Sequence, residues 1–468
     1  MKAGLIGGSS QQRSLPFNAE RSVNLFPVLD QAGKDVAALY SKPGNQLFAS
    51  AGIGPGRGSF TASNGRSFFV SSTAVFELLG NGTTVQRGTV DQSQGGVTID
   101  ENGFQLAVCD GQSLYILTYA TNAFQKVTTV NLPSASTVTF IDGYFIVNRL
   151  NSGIFQISKL YDGLVWAALD FATAESSPDS LLRVLNVSGQ LWLFGDKTTE
   201  IWSNTGGLKF PFTRIAGAKL ENGTSSRFSP LSLDNSAFWV NNDKNGFGIV
   251  YRAEGFSPRR ISTEAIELKI QSAIYPDRIR SFSYQEDGHT FFILTDGGME
   301  TTLVYDLATQ VWHERAFLNE DGNYEQDIAI TATYAFNRCL VMDRRNGNIY
   351  EQSLKYYDDN GEEIARDRTF THLTDENQPF TYANLTVGFE TGVGLQTGLG
   401  QDPKATLFLS KDGGKTFSGG YITSIGKAGK FRDRAVWRRL GQARQMTFRV
   451  RITDPVKVCI SGSWFNTL

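Results

Sequence analysis

Histidine and cysteine side chains, which supply most metal ligands and many nucleophiles in proteins, are scarce in this sequence of 468 residues. They are His289, His313, His372, Cys109, Cys339 and Cys459. No two histidines lie four residues apart, and the cysteines sit at no metal-ligand spacing. An odd number of distant cysteines completes no disulfide framework, so they read as small buried apolar residues. We therefore predict no metal centre, no cofactor and no catalytic histidine.

Two glycine-rich segments resemble phosphate-binding loops but lack residues that such loops need. Residues 414–416 (GKT) match the end of a Walker loop, but position 409 is Leu where that loop has Gly, and residues 417–420 (FSGG) do not begin a helix. Residues 52–58 have no GxGxxG frame, and Pro55 favours a turn there. The serine-hydrolase pattern GxSxG does not occur. The sequence therefore gives no motif for nucleotide or ester hydrolysis.

Residues 410–417 (SKDGGKTF) fit the Asp-box pattern SxDxGxTW, with Phe in the place of Trp. Its candidate residues are Ser410, Asp412, Gly414, Thr416 and Phe417. In this motif the carboxylate accepts hydrogen bonds from the backbone of a tight turn, so its role is structural. Because Asp-boxes occur in sialidase-like propellers, a carbohydrate-binding or glycoside-hydrolysing propeller is an alternative. That activity needs converging arginines, a tyrosine nucleophile and an acid, and one sequence does not show their convergence.

The most uneven distribution of charge lies in residues 427–451, which contain nine basic residues and one acid, Asp433. The basic residues are Lys427, Lys430, Arg432, Arg434, Arg438, Arg439, Arg444, Arg449 and Arg451. An alternating strand would direct several guanidinium groups to one face, where they could line a DNA path or meet carboxylates of a partner subunit. The third interpretation is a solvated or internally paired face, balanced by the acidic turn at residues 358–363. All three stay open.

Composition and charge indicate a globular protein with no general attraction to polyanions. Apolar residues make up 40% of the chain, and 44 Lys and Arg face 46 Asp and Glu, for a formal charge of −2. No stretch approaches the roughly 18 apolar residues of a membrane helix, and the first residues lack the apolar core of a signal peptide. We therefore expect no membrane insertion, and synthesis in a reducing cytoplasm.

A β-hairpin pattern recurs seven times, at intervals of 38 to 52 residues. Each copy has two short apolar strands around a polar turn. The copies begin at Gly65, Gly103, Gly143, Gly189, Ser236, Gly288 and Asn337. This interval is the length of a four-stranded propeller blade. We predict an all-β fold with a six- to seven-bladed β-propeller over residues 44–353, closed by strands from both ends.

The remaining sequence predicts a second, smaller β unit. Residues 354–379 are polar and are interpreted as a linker or inserted loop, and residues 380–468 as a C-terminal β domain. Residues 1–43 are expected to form an N-terminal arm that packs on this domain rather than on the propeller. The one helix candidate is residues 263–270, and residues 305–312 (YDLATQVW) resemble the turn of kelch blades.

Several segments, in this order, resemble the packaged-DNA stabilization protein family, which forms the tail hub, or nozzle, of short-tailed bacteriophages. They are residues 22–27 (SVNLFP), 42–44 (KPG), 169–175 (LDFATAE) with Pro178 and Asp179, 194–202 (FGDKTTEIW), 412–417 (DGGKTF) and 437–441 (WRRLG). These segments span nearly the whole chain, and none is a catalytic motif.

The resemblance implies a non-enzymatic structural protein of the virion tail, made in the cytoplasm of a bacterial host. It implies a propeller on a C-terminal platform domain, repeated in a ring, expected to be a homohexamer, below the portal and its adaptor. The ring would close the head, retain packaged double-stranded DNA and form the channel for DNA ejection. Its other expected partners are tail spike or fibre proteins and a tail needle or tip protein. Ring contacts are expected to use the arm and the C-terminal domain.

Overall fold

The computed structural model describes residues 2–29, 36–174, 178–207, 210–244, 246–370, 373–374 and 378–467. The chain begins with an arm of four short strands: β1 (Lys2–Ala3), β2 (Arg21–Val23), β3 (Leu25–Leu29) and β4 (Ala37–Ser41). His372 and Glu175 lie outside the described residues.

Seven antiparallel sheets follow as the blades of a propeller. The strand that opens it, β5 (Gly44–Ser50), belongs to the last blade. Blades 1 to 3 are β6 (Gly56–Thr61), β7 (Ser67–Ser71), β8 (Ala74–Leu78) and β9 (Thr84–Thr89); β10 (Thr98–Glu101), β11 (Gln105–Cys109), β12 (Leu114–Thr118) and β13 (Ala123–Lys126); β14 (Val138–Ile141), β15 (Tyr144–Asn148), β16 (Ile154–Ile157) and β17 (Phe171–Thr173).

Blades 4 to 7 complete the ring. Blade 4 is β18 (Leu181–Val187), β19 (Gln190–Gly195), β20 (Thr199–Asn204) and β21 (Phe212–Leu220). In blade 5, both β22 (Gly223–Thr224) and β23 (Leu231–Leu233) pair with β24 (Ser236–Asp243). Strands β25 (Gly246–Glu254) and β26 (Ser257–Arg260) complete that blade. Blade 6 is β27 (Arg280–Glu286), β28 (His289–Thr295), β29 (Thr302–Asp306) and β30 (Val311–Leu318), with β31 (Tyr324–Gln326) on β30, and blade 7 is β32 (Ala329–Ala335), β33 (Arg338–Asp343), β34 (Asn348–Ser353) and β5.

The predicted hairpins are the two central strands of each blade, β7–β8 in the first and β33–β34 in the last. The fold is therefore the predicted all-β propeller, and the described residues form seven blades. The ring closes because β5 pairs with β34, from Gly44 opposite Ser353 to Ser50 opposite Asn348. This shared sheet removes an edge that would otherwise be open to aggregation.

Apolar side chains from adjacent blades form the propeller core. Between blades 4 and 5, for example, the rings of Trp192 and Trp239 lie 6.4 Å apart, and both side chains are buried. The predicted kelch-like turn follows β29, where Asp306 accepts hydrogen bonds from the Ala308 amide (3.0 Å) and the Thr309 hydroxyl (2.7 Å). The predicted helix is confirmed as α1 (Glu264–Gln271), and a short 3₁₀ helix (Pro276–Arg278) follows it.

After the propeller, eight strands form most of a β-sandwich: β35 (Arg366–Thr369), β36 (Leu373–Thr374), β37 (Phe380–Phe389), β38 (Lys404–Ser410), β39 (Ser418–Ser424), β40 (Ala435–Ala443), β41 (Gln445–Ile452) and β42 (Cys459–Thr467). One sheet has the order β3-β4-β42-β37-β40, with β1 on β42. The other contains β2-β35-β41-β38-β39, with β36 on β41. Phe448, Leu407 and Leu385 belong to the fully buried core that these sheets share.

The prediction that the arm packs on the C-terminal domain rather than on the propeller needs correction, because the arm contacts both. Strands β3 and β4 extend the sandwich, as β4 pairs with β42. Strand β2 lies between blade 6 and the sandwich, since Val23 pairs with Glu314 on one side and Asp367 on the other. One sheet thus continues from blade 6 through the arm into the sandwich.

The interpretation of residues 354–379 as a linker or inserted loop is also wrong for part of its length. Strand β35 within it is buried and pairs with β2 and β41. The strand is polar in sequence and yet buried, because its charged side chains form hydrogen bonds and ion pairs within the protein. Arg366 donates to Ser41 Oγ (2.7 Å) and to three backbone carbonyls, and Arg368 donates to the carbonyl of Gly8 (2.8 Å) and pairs with Glu20 (3.3 Å).

Candidate interface and DNA-contact surface

Seven of the nine basic residues in the C-terminal run are exposed, and together they are called the basic surface below. Its members are Lys427, Lys430, Arg432, Arg434, Arg438, Arg439 and Arg444. The first four lie in the loop before β40, the next two on β40, and Arg444 between β40 and β41. None of the seven forms an ion pair with another residue in the described ranges. Their charges are therefore available to a partner.

A β-bulge, rather than simple alternation, exposes the paired arginines. Arg439 has a positive φ of 58°, and the register shifts so that Arg438 faces Asn384 while Gly441 faces Tyr382. An extra residue at this point keeps consecutive side chains on the solvent side. Arg438 and Arg439 are therefore both exposed, between buried Trp437 and Leu440.

Exposed apolar side chains lie on β39 and in the loop that carries the first four residues of the basic surface. Strand β40 is the last strand of its sheet, and Trp437 joins it to β39 by donating from Nε1 to the Tyr421 carbonyl (2.7 Å). Tyr421 and Ile422 on β39 are 51% and 64% exposed, and Phe431 in the basic loop is 74% exposed. Exposed apolar and arginine side chains together are typical of a protein interface.

The last two arginines of the run point inward. Arg451 donates from Nε and Nη2 to the carboxylate of Asp367, at 2.8 and 2.6 Å, and this hydrogen bonding raises the pKa of Arg451. The Arg449 guanidinium lies 3.8 Å above the Phe417 ring, and burial lowers its pKa. Both side chains contact other residues of the sandwich, so these two arginines do not belong to the basic surface.

The acidic turn does not balance the basic surface. Asp359 is buried and pairs with Lys42 at 2.8 Å, while Glu362 lies 3.8 Å from Arg345. The interpretation that residues 358–363 neutralise the basic run is therefore wrong. Partner carboxylates, DNA phosphates and solvent remain as the surroundings of the basic surface.

The Asp-box residues form a single tight turn between β38 and β39. Asp412 accepts hydrogen bonds from Ser410 Oγ (2.6 Å) and from the amides of Lys415 and Thr416 (both 3.0 Å), and its pKa is held well below the usual range by the bonds to Ser410 and Thr416. Gly414 donates its amide to Ser410 Oγ (2.8 Å), and Phe417 packs under Arg449. Because this turn belongs to the sandwich and not to a blade, it gives no support to a sialidase-like propeller.

The glycines of this turn make room for the arm. At Gly413 and Gly414 φ is positive, and a Cβ there would lie 2.8 Å from Pro16 and Ala19 respectively. The Asp-box therefore shapes a surface on which the arm packs.

The histidines and cysteines of the described residues form no metal-binding cluster. His289 Nδ1 lies 2.8 Å from Asp306, and Cys109 is buried, which raises its pKa to about 12, while Cys339 and Cys459 are half-buried rather than buried as predicted. Within the described ranges, no cluster of three or more His, Cys, Asp and Glu side chains is arranged to hold a metal ion. No helix in the described part of the chain is long and apolar enough to span a membrane.

Buried ionic contacts join the arm to the propeller and to the segment after it, and the sequence analysis did not single them out. Lys42 Nζ donates to Asp327 (2.6 Å) and Asp359 (2.8 Å). Arg21 of the arm donates to buried Glu314 of blade 6 (2.7 Å). The only sequence signal was Lys42 itself, a charged residue next to Pro43 and just before the first strand of the propeller.

Comparisons with known families agree with this architecture. A family model described as bacteriophage P22 Gp10, beta-propeller, matches residues 1–356, and one described as bacteriophage P22 Gp10, beta-sandwich, matches residues 366–466. The chain belongs to the bacteriophage P22 Gp10 family. The resemblance found in the sequence is confirmed. This Gp10-family protein is thus a phage structural protein of the tail and DNA-stabilisation type, and a component of the virion.

Comparisons with individual proteins give weak similarities and assign no function to this chain. No curated protein matches the chain. The extracellular domain of the putative one-component system BT4673 from B. thetaiotaomicron is 9% identical, with a TM-score of 0.45 over 86% of this chain and 48% of that chain. The N-terminal domain of Nup159 is 9% identical (TM-score 0.40, 66% of this chain and 95% of that chain), and the computationally designed Ika8 protein is 12% identical (TM-score 0.39, 75% and 100%).

Proposed function

We propose that this Gp10-family protein is the tail hub, or nozzle, of a short-tailed phage. In this role it forms a ring below the portal and its adaptor, closes the filled head, retains the packaged DNA and forms the channel through which the DNA is ejected. The observation that carries the proposal is the basic surface, seven exposed cations with no ion-pair partner in the described residues, on a chain of a phage structural family.

The sandwich supplies the ring contacts in this proposal. A closed ring needs two different, complementary surfaces on each subunit. The last strand of one sheet, β40, carries Arg438 and Arg439, and the neighbouring Tyr421 and Phe431 expose apolar area. Apolar contact favours a protein partner for this edge, while the loop cations remain free to neutralise carboxylates or DNA phosphates. The expected ring is a homohexamer.

The other expected partners follow from the same role. The ring binds the portal-adaptor complex above it, and tail spike or fibre proteins and a needle or tip protein below or around it. Double-stranded DNA passes through its centre. The chain acts without catalysis and without a cofactor, as part of the virion tail.

The test is assembly with portal-adaptor complexes, using the double variant Arg438→Glu/Arg439→Glu. The two glutamates would repel the carboxylates or phosphates that the two arginines attract. We therefore expect loss of the ring or failure to retain DNA. The control is Arg214→Glu/Lys244→Glu, which makes the same change in net charge at exposed positions of blades 4 and 5. Wild-type assembly and DNA retention by the Arg438/Arg439 variant would contradict the proposal and favour a solvated face.

Salt titration separates the two binding modes of the basic surface. If the cations bind DNA, the affinity of assembled rings for duplex DNA falls with salt by a slope of about 0.9 for each phosphate neutralised, and the double variant lowers that slope. If they bind a partner subunit, the double variant lowers ring formation in the absence of DNA. Hydrolysis or binding of glycans by the purified chain would instead favour the carbohydrate-active alternative.

A further inference from the structure

The axial channel of the propeller contains three arginines that the proposed function does not use. Inner strands of several blades line a cavity of ≈ 120 Å³ there, including β6, β18, β27 and β32. Arg57, Arg183 and Arg280 line it together with the hydroxyl-bearing residues Ser59 and Thr331. The cavity thus gathers cations from blades that are far apart in sequence.

Arg183 has no hydrogen-bond or ion-pair partner among the described residues, and its Nε is fully enclosed. The acid that influences it most is Asp100, but this carboxylate accepts hydrogen bonds from the Phe140 amide (2.7 Å) and the Thr139 hydroxyl (3.1 Å) instead. Burial lowers the pKa of Arg183 to about 10, so the guanidinium remains charged at neutral pH. Arg183 as a whole is half-buried, but its enclosed Nε lacks a hydrogen-bond partner, which is costly and points to a ligand of opposite charge.

Of the two neighbouring arginines, Arg57 has no carboxylate partner among the described residues, whereas Arg280 has one. Arg57 donates to backbone carbonyls, including those of Gly95 (2.8 Å) and Ser72 (2.8 Å), which are neutral acceptors. Burial, with a contribution from repulsion by Arg280, lowers the pKa of Arg57 to about 10. Arg280 is paired with Asp296 at 3.0 Å. Among the described residues, two of these three guanidinium groups therefore have no carboxylate within ion-pair distance.

We propose that the axial channel binds a small tetrahedral oxyanion, phosphate or sulfate, through Arg183 with support from Arg57 and Arg280. A planar guanidinium matches the geometry of such an anion. Ser59 Oγ and Thr331 Oγ1 lie 2.8 Å apart and share one hydrogen bond, so one of the two hydroxyl hydrogens can be donated to a ligand. The volume lies below the roughly 300–1,000 Å³ of sites for larger organic ligands.

A wider cavity adjoins this one and shares two of its arginines. Arg57 and Arg280 line this wider cavity of ≈ 440 Å³, to which Arg278, Tyr275 and Arg344 contribute. An anion that enters there passes guanidinium groups before it reaches Arg183. The oxyanion would connect inner strands of separate blades, so it would stabilise the closed ring by binding only the folded state.

The test compares thermal unfolding in phosphate, sulfate and chloride at equal ionic strength, for the wild-type chain and Arg183→Met. We expect phosphate or sulfate at ten times its Kd to raise the wild-type Tm by about 2 °C over chloride, and no such rise in Arg183→Met. In chloride, Arg183→Met should melt at or above the wild type, because it lacks the half-buried charge that has no ion-pair partner. Arg183→Lys keeps the positive charge but lacks the paired N–H donors of the planar guanidinium. It should weaken phosphate binding, measured by calorimetry, at least about tenfold.

Two control variants separate this site from other cations. Arg214→Gln removes an exposed arginine from the same blade, and Arg438→Glu/Arg439→Glu removes part of the basic surface, so both should keep the phosphate-dependent rise. A nucleoside 5′-monophosphate tested in parallel distinguishes a terminal phosphate from a free inorganic ion as the source. Equal Tm in all three salts for the wild type would overturn the proposal, as would a phosphate effect that survives in Arg183→Met.

Discussion

Lys42 and Asp327 form a buried ion pair, 2.6 Å from Nζ to Oδ1, that joins the end of the arm to the short segment before blade 7. Asp359, beyond the propeller, pairs with the same ammonium group at 2.8 Å and also accepts from Asn45 Nδ2 (2.6 Å). Burial disfavours the charged form of both acids, but the Lys42 charge outweighs it at Asp327, whose pKa is lowered. Lys42 thus holds together three segments that are distant in sequence.

Removal of this ammonium group should be strongly destabilising. Lys42→Met leaves two buried carboxylates facing each other, and we expect a loss of about 3–5 kcal/mol in the free energy of unfolding. Denaturant unfolding followed by fluorescence measures it. Lys355→Met, at an exposed lysine, should change stability by less than about 0.5 kcal/mol. Equal stability of the two variants would show that the triad contributes nothing.

His313 should make stability depend on pH. Its buried imidazole packs against the rings of Phe26 and Phe291, and burial lowers its pKa to about 3. Below the ordinary value of about 6.5 the unfolded chain binds a proton that the folded chain does not, so stability falls as the pH decreases toward 3. From pH 6.5 to pH 5 this loss is about 2 kcal/mol.

The variant His313→Phe tests this origin, because it keeps an aromatic ring and removes the titration. Its free energy of unfolding should change by about 2 kcal/mol less than that of the wild type over the same interval. The difference in slope is the readout, so a uniform packing defect does not affect it. Parallel pH profiles for wild type and variant would refute the assignment.

Asn24 should be a critical residue of the joint between arm, propeller and sandwich. Its Nδ2 donates to the carbonyls of Ala316 (2.7 Å) and Ala365 (2.8 Å), and its Oδ1 accepts from the Ala316 amide (3.0 Å), all buried. Its φ of 57° also suits asparagine better than alanine. Asn24→Ala should lower the free energy of unfolding by at least about 2 kcal/mol. Asn151→Ala, at an exposed asparagine with a φ of 50°, controls for the backbone effect alone and should lose much less.

Deletion of the whole arm would not isolate its role in assembly. Residues 1–40 include Leu25 and Leu39, both fully buried in the sandwich core, together with β1 to β3 and most of β4. Such a deletion removes part of the fold itself, so point variants on the surface are the better tests of ring contacts.

The Asp412 carboxylate should slow the hydrogen exchange of backbone amides in the turn between β38 and β39. The carboxylate holds the Lys415 and Thr416 amides, so Asp412→Ala should increase their hydrogen exchange by at least about tenfold while the core strand β41 is unaffected. Asp433→Ala, at an exposed acid without a hydrogen-bond partner in the described residues, is the control. Unchanged exchange in the Asp412 variant would show that the glycines alone define the turn.

The repeated units of this fold were predictable because their signals are local. A hairpin such as β7–β8 carries its apolar strands and its turn within about a dozen residues, and α1 carries its acidic first turn and buried face within eight. The family resemblance likewise rests on short segments in a fixed order. Local patterns therefore gave the propeller and the approximate number of blades.

Contacts between distant segments were not predictable. Strand β35 is polar in sequence, yet Arg366 and Arg368 are fully buried because their partners come from the arm and from loops far away. The bulge at Arg439 and the convergence of Arg57, Arg183 and Arg280 in the channel likewise depend on how strands are brought together. Exposure of the basic residues was an open alternative in the sequence and became clear only from the structure.

Single-particle imaging of the purified chain, alone and with its portal-adaptor complex, tests the central claim most directly. The account predicts a closed ring of seven-bladed propellers, docked coaxially below the portal through contacts that include the sandwich, with the basic surface at a subunit boundary or facing the DNA path. Arg438→Glu/Arg439→Glu should abolish the ring if the basic surface lies at a subunit boundary, and the retention of DNA if it faces the DNA path. Monomers that do not bind the portal complex under any condition would contradict the tail-hub function.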